Sequence, residues 1–269
     1  MLIDTHCHIN NIIKPTFDVL LQKSDFEKVR NILQEAEKNH VTKIINIGTS
    51  LIESENSVAL AKTFPNIFAA AGIHPTDLKP EWQKELKQIS KLVKNKNDNK
   101  IVAIGECGID KYHQPFDLQR QKDGFKAQIE LALENNLALV VHSRNAPEET
   151  LYSLEEFKKE IKRCVIHCFS ENIDFAKTVT SWGFYLGIGG TITYPKNNEL
   201  RQIIQTIGLE KIVLETDSPF LPPQIIRGKT NYPKYIYEIA QFISNLLGIS
   251  FDSVAKQTTD NAKKLFEID

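Results

Sequence analysis

Long hydrophobic runs are missing from this 269-residue chain. No stretch of 18 apolar residues occurs, which excludes a membrane-spanning helix. An excess of either charge is missing too. Lys and Arg total 33 against 34 Asp and Glu, a net charge of −1. That balance excludes a globally basic nucleic-acid binder but leaves room for a local cationic rim around a pocket. No basic, aromatic-rich stripe marks a nucleic-acid surface. The four cysteines (Cys7, Cys107, Cys164 and Cys168) include no CxxC pair and are expected to be small buried hydrophobes in a reducing cytoplasm. The chain enters a strand at once, with no charged leader and apolar core, so no secretory signal is expected. Internal repeats and a convincing linker are also lacking, and residues 1–269 are expected to form one domain. What is present is ordinary for a globular fold, 41% hydrophobic and 25% charged residues.

Eight short runs rich in β-branched residues recur along the chain. They are Leu2–His8, Lys43–Thr49, Ile67–Gly72, Ile101–Glu106, Ala138–His142, Cys164–His167, Gly183–Gly187 and Lys211–Thr216. Stretches of helical periodicity separate them. Phe26, Val29, Ile32, Leu33 and Ala36 make one face, with Ser24 or Asp25 placed to cap it. Leu118–Asn135 makes a longer helix, Asn145 and Pro147 start another, and Phe251–Phe266 forms the last. Strict alternation implies parallel strands with crossover helices, and eight units close into a (β/α)8 TIM barrel. A doubly wound open sheet is the alternative, though it rarely needs eight evenly spaced units. The polar segment from Lys94 to Lys100 reads as a solvated loop on the far face. The stretch from Asn10 to Lys23, with Phe17, Val19, Leu20 and Leu21, reads as a long loop that packs over the first helix or the pocket.

Barrel enzymes draw their chemistry from the C-terminal ends of the strands. Here those ends read Asp4-Thr5-His6-Cys7-His8, Gly72-Ile73-His74-Pro75, Gly105-Glu106-Cys107-Gly108-Ile109-Asp110, His142-Ser143-Arg144, His167-Cys168-Phe169-Ser170 and Glu215-Thr216-Asp217-Ser218-Pro219. Five of the seven histidines lie there; His40 and His113 are left over. A single strand-end histidine is usually satisfied by a carbonyl, but a shared polar bias at six ends points to metal. Strand alternation places Asp4, His6 and His8 on one face, with Cys7 on the other. In a closed barrel Asp217 neighbours His6 and His8, His142 neighbours His167, and Glu106 can bridge the two groups with its two oxygens. Imidazole and carboxylate ligands suit two divalent ions, Mg, Mn or Zn. Asp4 and Glu215 are expected to hold imidazoles and metal ligands in place. Arg144 is expected to take a phosphate in bidentate fashion, and His74 to contact phosphate or protonate a leaving group.

Together these motifs resemble the TatD family of metal-dependent deoxyribonucleases. The resemblance runs through Leu221-Pro222-Pro223, Arg227-Gly228-Lys229 and the segment from Thr258 to Phe266. It implies an amidohydrolase-type barrel with six metal ligands, His6, His8, Glu106, His142, His167 and Asp217. It also implies cleavage of DNA phosphodiesters from the 3′ end of single strands. In the expected mechanism a metal-bound hydroxide attacks phosphorus, Asp217 orients or deprotonates the water, and Arg144 offsets developing charge. Lys111, Asn145, Glu171 and Tyr232 depart from the family's usual residues and bear on substrate preference. Two other readings stand beside this one. An amidohydrolase-type enzyme could act on a small phosphoester, amide or lactone, although such relatives often carry a lysine where Glu106 stands. A non-catalytic metal-binding scaffold is the second, and no degenerate ligand supports it. No membrane and no obligate protein partner is expected.

Overall fold

The computed structural model describes residues 1–14 and 16–269. Eight strands form one parallel sheet in chain order: β1 (Leu2–Cys7), β2 (Val41–Ile47), β3 (Ile67–Ala71), β4 (Ile101–Asp110), β5 (Ala138–Arg144), β6 (Cys164–Ile166), β7 (Tyr185–Ile188) and β8 (Ile212–Leu214). The ends of the sheet meet beyond β8. Asp217 N–H donates to the His6 carbonyl at 2.9 Å and His8 N–H to the Ser218 carbonyl at 2.8 Å. Helices cover the outside, so the strands are buried on both faces and read as near-continuous apolar runs.

Inside the barrel, Ile3, Ile45, Ile47, Ala70, Ala103, Ala138, Val140, Val165 and Val213 pack into a dry cluster. The last helix, Phe251–Phe266, is the one expected from periodicity, and its Ala262, Leu265 and Phe266 join that cluster. Leu118–Glu134 is capped by Asp117, which accepts from Arg120 N–H. The helix Asp25–Lys38 starts where expected, but Ser24 makes no side-chain cap; Asp25 instead accepts from Gln22 N–H at 2.9 Å.

Two expected loops are structured. Within the polar segment after Lys94, Lys96–Asn99 forms a helical turn. Asn99 is mostly buried because its amide caps the Leu92 carbonyl at 2.8 Å. The stretch after β1 begins as a short helix, Ile9–Ile13, and then runs along the helix Leu51–Thr63. Asp18 N–H donates to Glu53, Asn56 Nδ2 donates to the Val19 carbonyl, and Leu21 N–H donates back to Asn56. Pro15 lies outside the described residues. No helix in the described residues is long and apolar enough to cross a membrane.

Candidate metal centre

β1 carries an irregularity between Asp4 and Cys7, where its pairing register with β2 shifts. Such a shift reorients the side chains that follow it. His6 and His8 consequently meet inside the barrel with their Nε2 atoms 3.1 Å apart. Glu106 Oε2 lies 3.3 Å from His6 Nε2 and 3.7 Å from His8 Nε2. Asp217 Oδ1 lies 3.6 and 3.4 Å from the same two nitrogens. A tetrahedron with metal–ligand bonds of about 2.1 Å has edges of about 3.4 Å. His6 and His8 therefore stand at that spacing from each other, from Glu106 Oε2 and from Asp217 Oδ1, and His6, His8 and Glu106 form a set that can share one cation. The 3.1 Å contact suits a hydrogen bond between the two ring nitrogens or, with both ring hydrogens on Nδ1, a cation shared by the two lone pairs.

The other oxygen of Glu106 faces a second group. Oε1 is 2.7 Å from His142 Nδ1 and 2.8 Å from His167 Nε2, with His74 Nε2 at 3.5 Å. The far side of the His142 ring meets Asp110, whose Oδ2 lies 3.1 Å from Nε2. With a cation at the centre, a carboxylate on that nitrogen would hold its hydrogen there and leave the lone pair of Nδ1 for the cation, the usual partner arrangement of a metal-binding imidazole. Burial alone would raise the pKa of Glu106, but the imidazoles of His167, His6 and His74 override it and keep the carboxyl ionised. Burial works likewise against Asp110, and hydrogen bonds from His142 and His113 hold it low.

Asp110 was not assigned a role from the sequence, although it shares the parity of Glu106 along the strand. β4 continues to Asp110, four residues past its expected end, because it stays paired with β5 as far as Asp110 opposite Arg144. His113, left over in the sequence, is the second partner of Asp110, at 2.8 Å through Nδ1. Gly187 on β7 was also overlooked. A Cβ there would come within 2.2 Å of Glu215 Oε2, so the missing side chain is the space that the Glu215 carboxylate occupies. Glu215 Oε1 accepts from Cys168 N–H and lies 3.5 Å from His167 Nδ1, close but beyond a well-formed hydrogen bond.

Asp4 meets the backbone of His6 and Thr216 in place of an imidazole ring. Its carboxylate touches no imidazole; it accepts from Thr216 Oγ1 at 2.6 Å, Thr216 N–H at 2.9 Å and His6 N–H at 3.3 Å. The irregularity in β1 puts Asp4 with Cys7 in a chain of contacts that runs through Thr216 and Ser218. Asp4 ties β1 to β8 behind the centre, and burial pushes its pKa up to about 8. Cys168 also departs from expectation. With φ at 46° it turns inward and lines the cavity, while the other three cysteines are buried.

Above the centre opens a cavity of about 720 Å³. Arg144 stands on its rim with the guanidinium carbon 4.3 Å from the Tyr112 ring centroid, and it makes no ion pair among the described residues. His74 also lines the cavity. Its Nδ1 accepts from Thr76 N–H, which leaves the hydrogen on Nε2. Burial and the neighbouring His142 lower its pKa to about 3, so its imidazole is neutral. Of the departures from the family pattern, Lys111 pairs with Glu149 at 2.6 Å, and Glu171 accepts from Ser143 on the cavity wall.

A parallel barrel with this cluster at its C-terminal end defines a metal-dependent hydrolase. A sequence profile described as TatD related DNase matches residues 3–267, and the chain belongs to that family. It is similar to YabD of Bacillus subtilis, an uncharacterized metal-dependent hydrolase, at 34% identity over 271 residues and 100% of both chains. It is 32% identical over 257 residues to the Escherichia fergusonii protein named 3′-5′ ssDNA/RNA exonuclease TatD, covering 93% of this chain and 97% of that one. The crystal structure of YJJV, a TatD homolog from Escherichia coli, superposes with a TM-score of 0.89 at 28% identity, covering 100% of this chain and 98% of that one.

Proposed function

We propose that the chain hydrolyses phosphodiester bonds at the 3′ ends of single-stranded DNA with two divalent cations. The observation that carries this reading is the division of Glu106, one oxygen facing His6 and His8 and the other His142 and His167. On this reading His6, His8, Asp217 and Glu106 Oε2 hold one cation. His142, His167 and Glu106 Oε1 hold the other. Cations bound there supply water acidified to near neutral pH and positive charge for the phosphoryl oxygens.

The remaining work falls to the chain's own groups. Asp217, partly open to the cavity, orients the attacking water and takes its proton on the carboxylate. Arg144 receives the phosphate at the rim, where its fork of donors suits two oxygens. His74, neutral and carrying its hydrogen on Nε2, donates to a phosphate oxygen, which is the contact role rather than proton delivery to a leaving group. The cavity lies within the range of roughly 300–1,000 Å³ usual for small-molecule sites, a size suited to one strand end. The name of the Escherichia fergusonii relative supports a 3′ end of DNA or RNA as substrate.

The test is incubation of the purified chain with end-labelled single-stranded DNA, with and without chelator, beside aryl phosphate and lactone substrates. Stepwise shortening from the 3′ end, abolished by chelator and restored by Mg, Mn or Zn, is expected. Turnover of the small substrates with intact DNA would replace this reading with the amidohydrolase one.

A further inference from the structure

The geometry points to Phe220, supported by Phe17, as a stacking platform for the base of the strand's terminal nucleotide. This rests on the nuclease reading given above, and it adds which part of the substrate lies on which wall. Phe220 and Phe17 are 44% and 56% exposed, and both line the cavity over Glu106. An aromatic ring left open inside a substrate cavity is what a flat, sequence-independent base contact requires.

Phe220 is held in place by its backbone. Its N–H donates to the Asp217 carbonyl at 2.9 Å. The wholly buried Asn231 donates to the Phe220 and Thr216 carbonyls, each at 2.8 Å. The ring stands edge-on to His8, with centroids 6.0 Å apart. A preorganised ring three residues after Asp217 loses little freedom when a base lies on it.

The walls of the cavity differ in character. Phe17 and Phe220 come from the segments that follow β1 and β8, neighbours in the ring. Arg144 ends β5, on the opposite side of an eight-strand barrel. An aromatic wall with no lysine or arginine among its lining residues therefore faces, across Glu106, a wall that carries Arg144 together with the Glu171 carboxylate. Asp18, next to Phe17 and also on the cavity, would repel a further phosphate on the aromatic side. The last nucleoside, which has no phosphate beyond it, fits against Phe220, and the continuing backbone leaves over Arg144.

The experiment uses two 5′-labelled single strands of equal length, one ending 3′ in deoxyadenosine and one in an abasic tetrahydrofuran residue. Wild type, Phe220→Leu and Phe220→Trp are compared on both. For wild type, KM is expected to be about tenfold higher on the abasic end, with kcat unchanged. Phe220→Leu is expected to raise KM about tenfold on the deoxyadenosine end only, and Phe220→Trp to restore it. Equal wild-type KM on the two ends overturns the stacking role and leaves the nuclease reading standing. An equal fall in kcat on both ends in Phe220→Leu also overturns it, since the ring would then only prop His8. A wild type that shortens neither strand overturns the nuclease reading and this inference with it.

Discussion

The two ends of the barrel interior are lined by the same strands and yet have opposite characters. At the N-terminal end, Ala103, Ala138, Val140, Val165 and Val213 form a dry layer closed by Leu265 and Phe266. Beyond Val140, Val165 and Val213 on the same strand faces come the polar side chains of half-buried His142 and buried His167 and Glu215. The comparison teaches a division of labour. Small apolar side chains at one end hold the strands together, and polar groups at the other end are kept close in spite of the cost of burying their charge. Changes at the polar end should therefore cost activity more than stability, and changes at the dry end the reverse.

Glu106→Gln tests the polar end most severely. Loss of its charge removes the link between the two donor groups, and hydrolysis is expected to fall at least about a thousandfold. The melting temperature should stay near wild type, as read by calorimetry beside the rate. A variant with near-normal turnover would break the comparison. Phe266→Ala is the counterpart at the dry end. It should cost about 3 kcal/mol in urea unfolding, the usual loss for a buried Phe, with kcat unchanged under conditions where the chain stays folded.

Asp110→Asn sharpens the contrast within the polar end. Metal affinity of the His142–His167 side is expected to weaken about 10- to 100-fold, measured by titration calorimetry, with the other cation unaffected. Equal weakening of both would mean that Asp110 supports the whole centre instead of one ring. Arg144→Ala should have the smallest effect, a rise in KM for phosphate-bearing substrates of about tenfold with metal affinity unchanged, because the rim guanidinium touches no ligand. Parallel loss of both would remove its assigned contact with substrate.

Much of this was legible because the periodic signals are local. Eight β-branched runs and the helices between them fix the barrel, and the last helix starts and ends at the residues its pattern indicates. The donor groups at the strand ends are legible as residue types. Asp4 shows where such reading stops. Simple alternation sends it toward the imidazoles, and a register irregularity that no residue type announces turns it to Thr216. Asp110 was hidden by the opposite error, a strand judged too short, since the length of β4 depends on how long β5 remains beside it. Gly187 carries no donor at all; its role exists only because Glu215 from the adjacent strand fills the space it leaves.

The order of elements, the barrel class and the chemical kinds of side chain around the centre follow from the sequence itself, because hydrophobic period and residue type are properties of short segments. Tertiary structure alone decided which oxygen of Glu106 faces which imidazoles, which acid steadies His142, and which aromatic rings are left open above them. Those are distances of a few ångströms between residues up to about two hundred positions apart, and strand register and close packing set them, not any local preference of the chain.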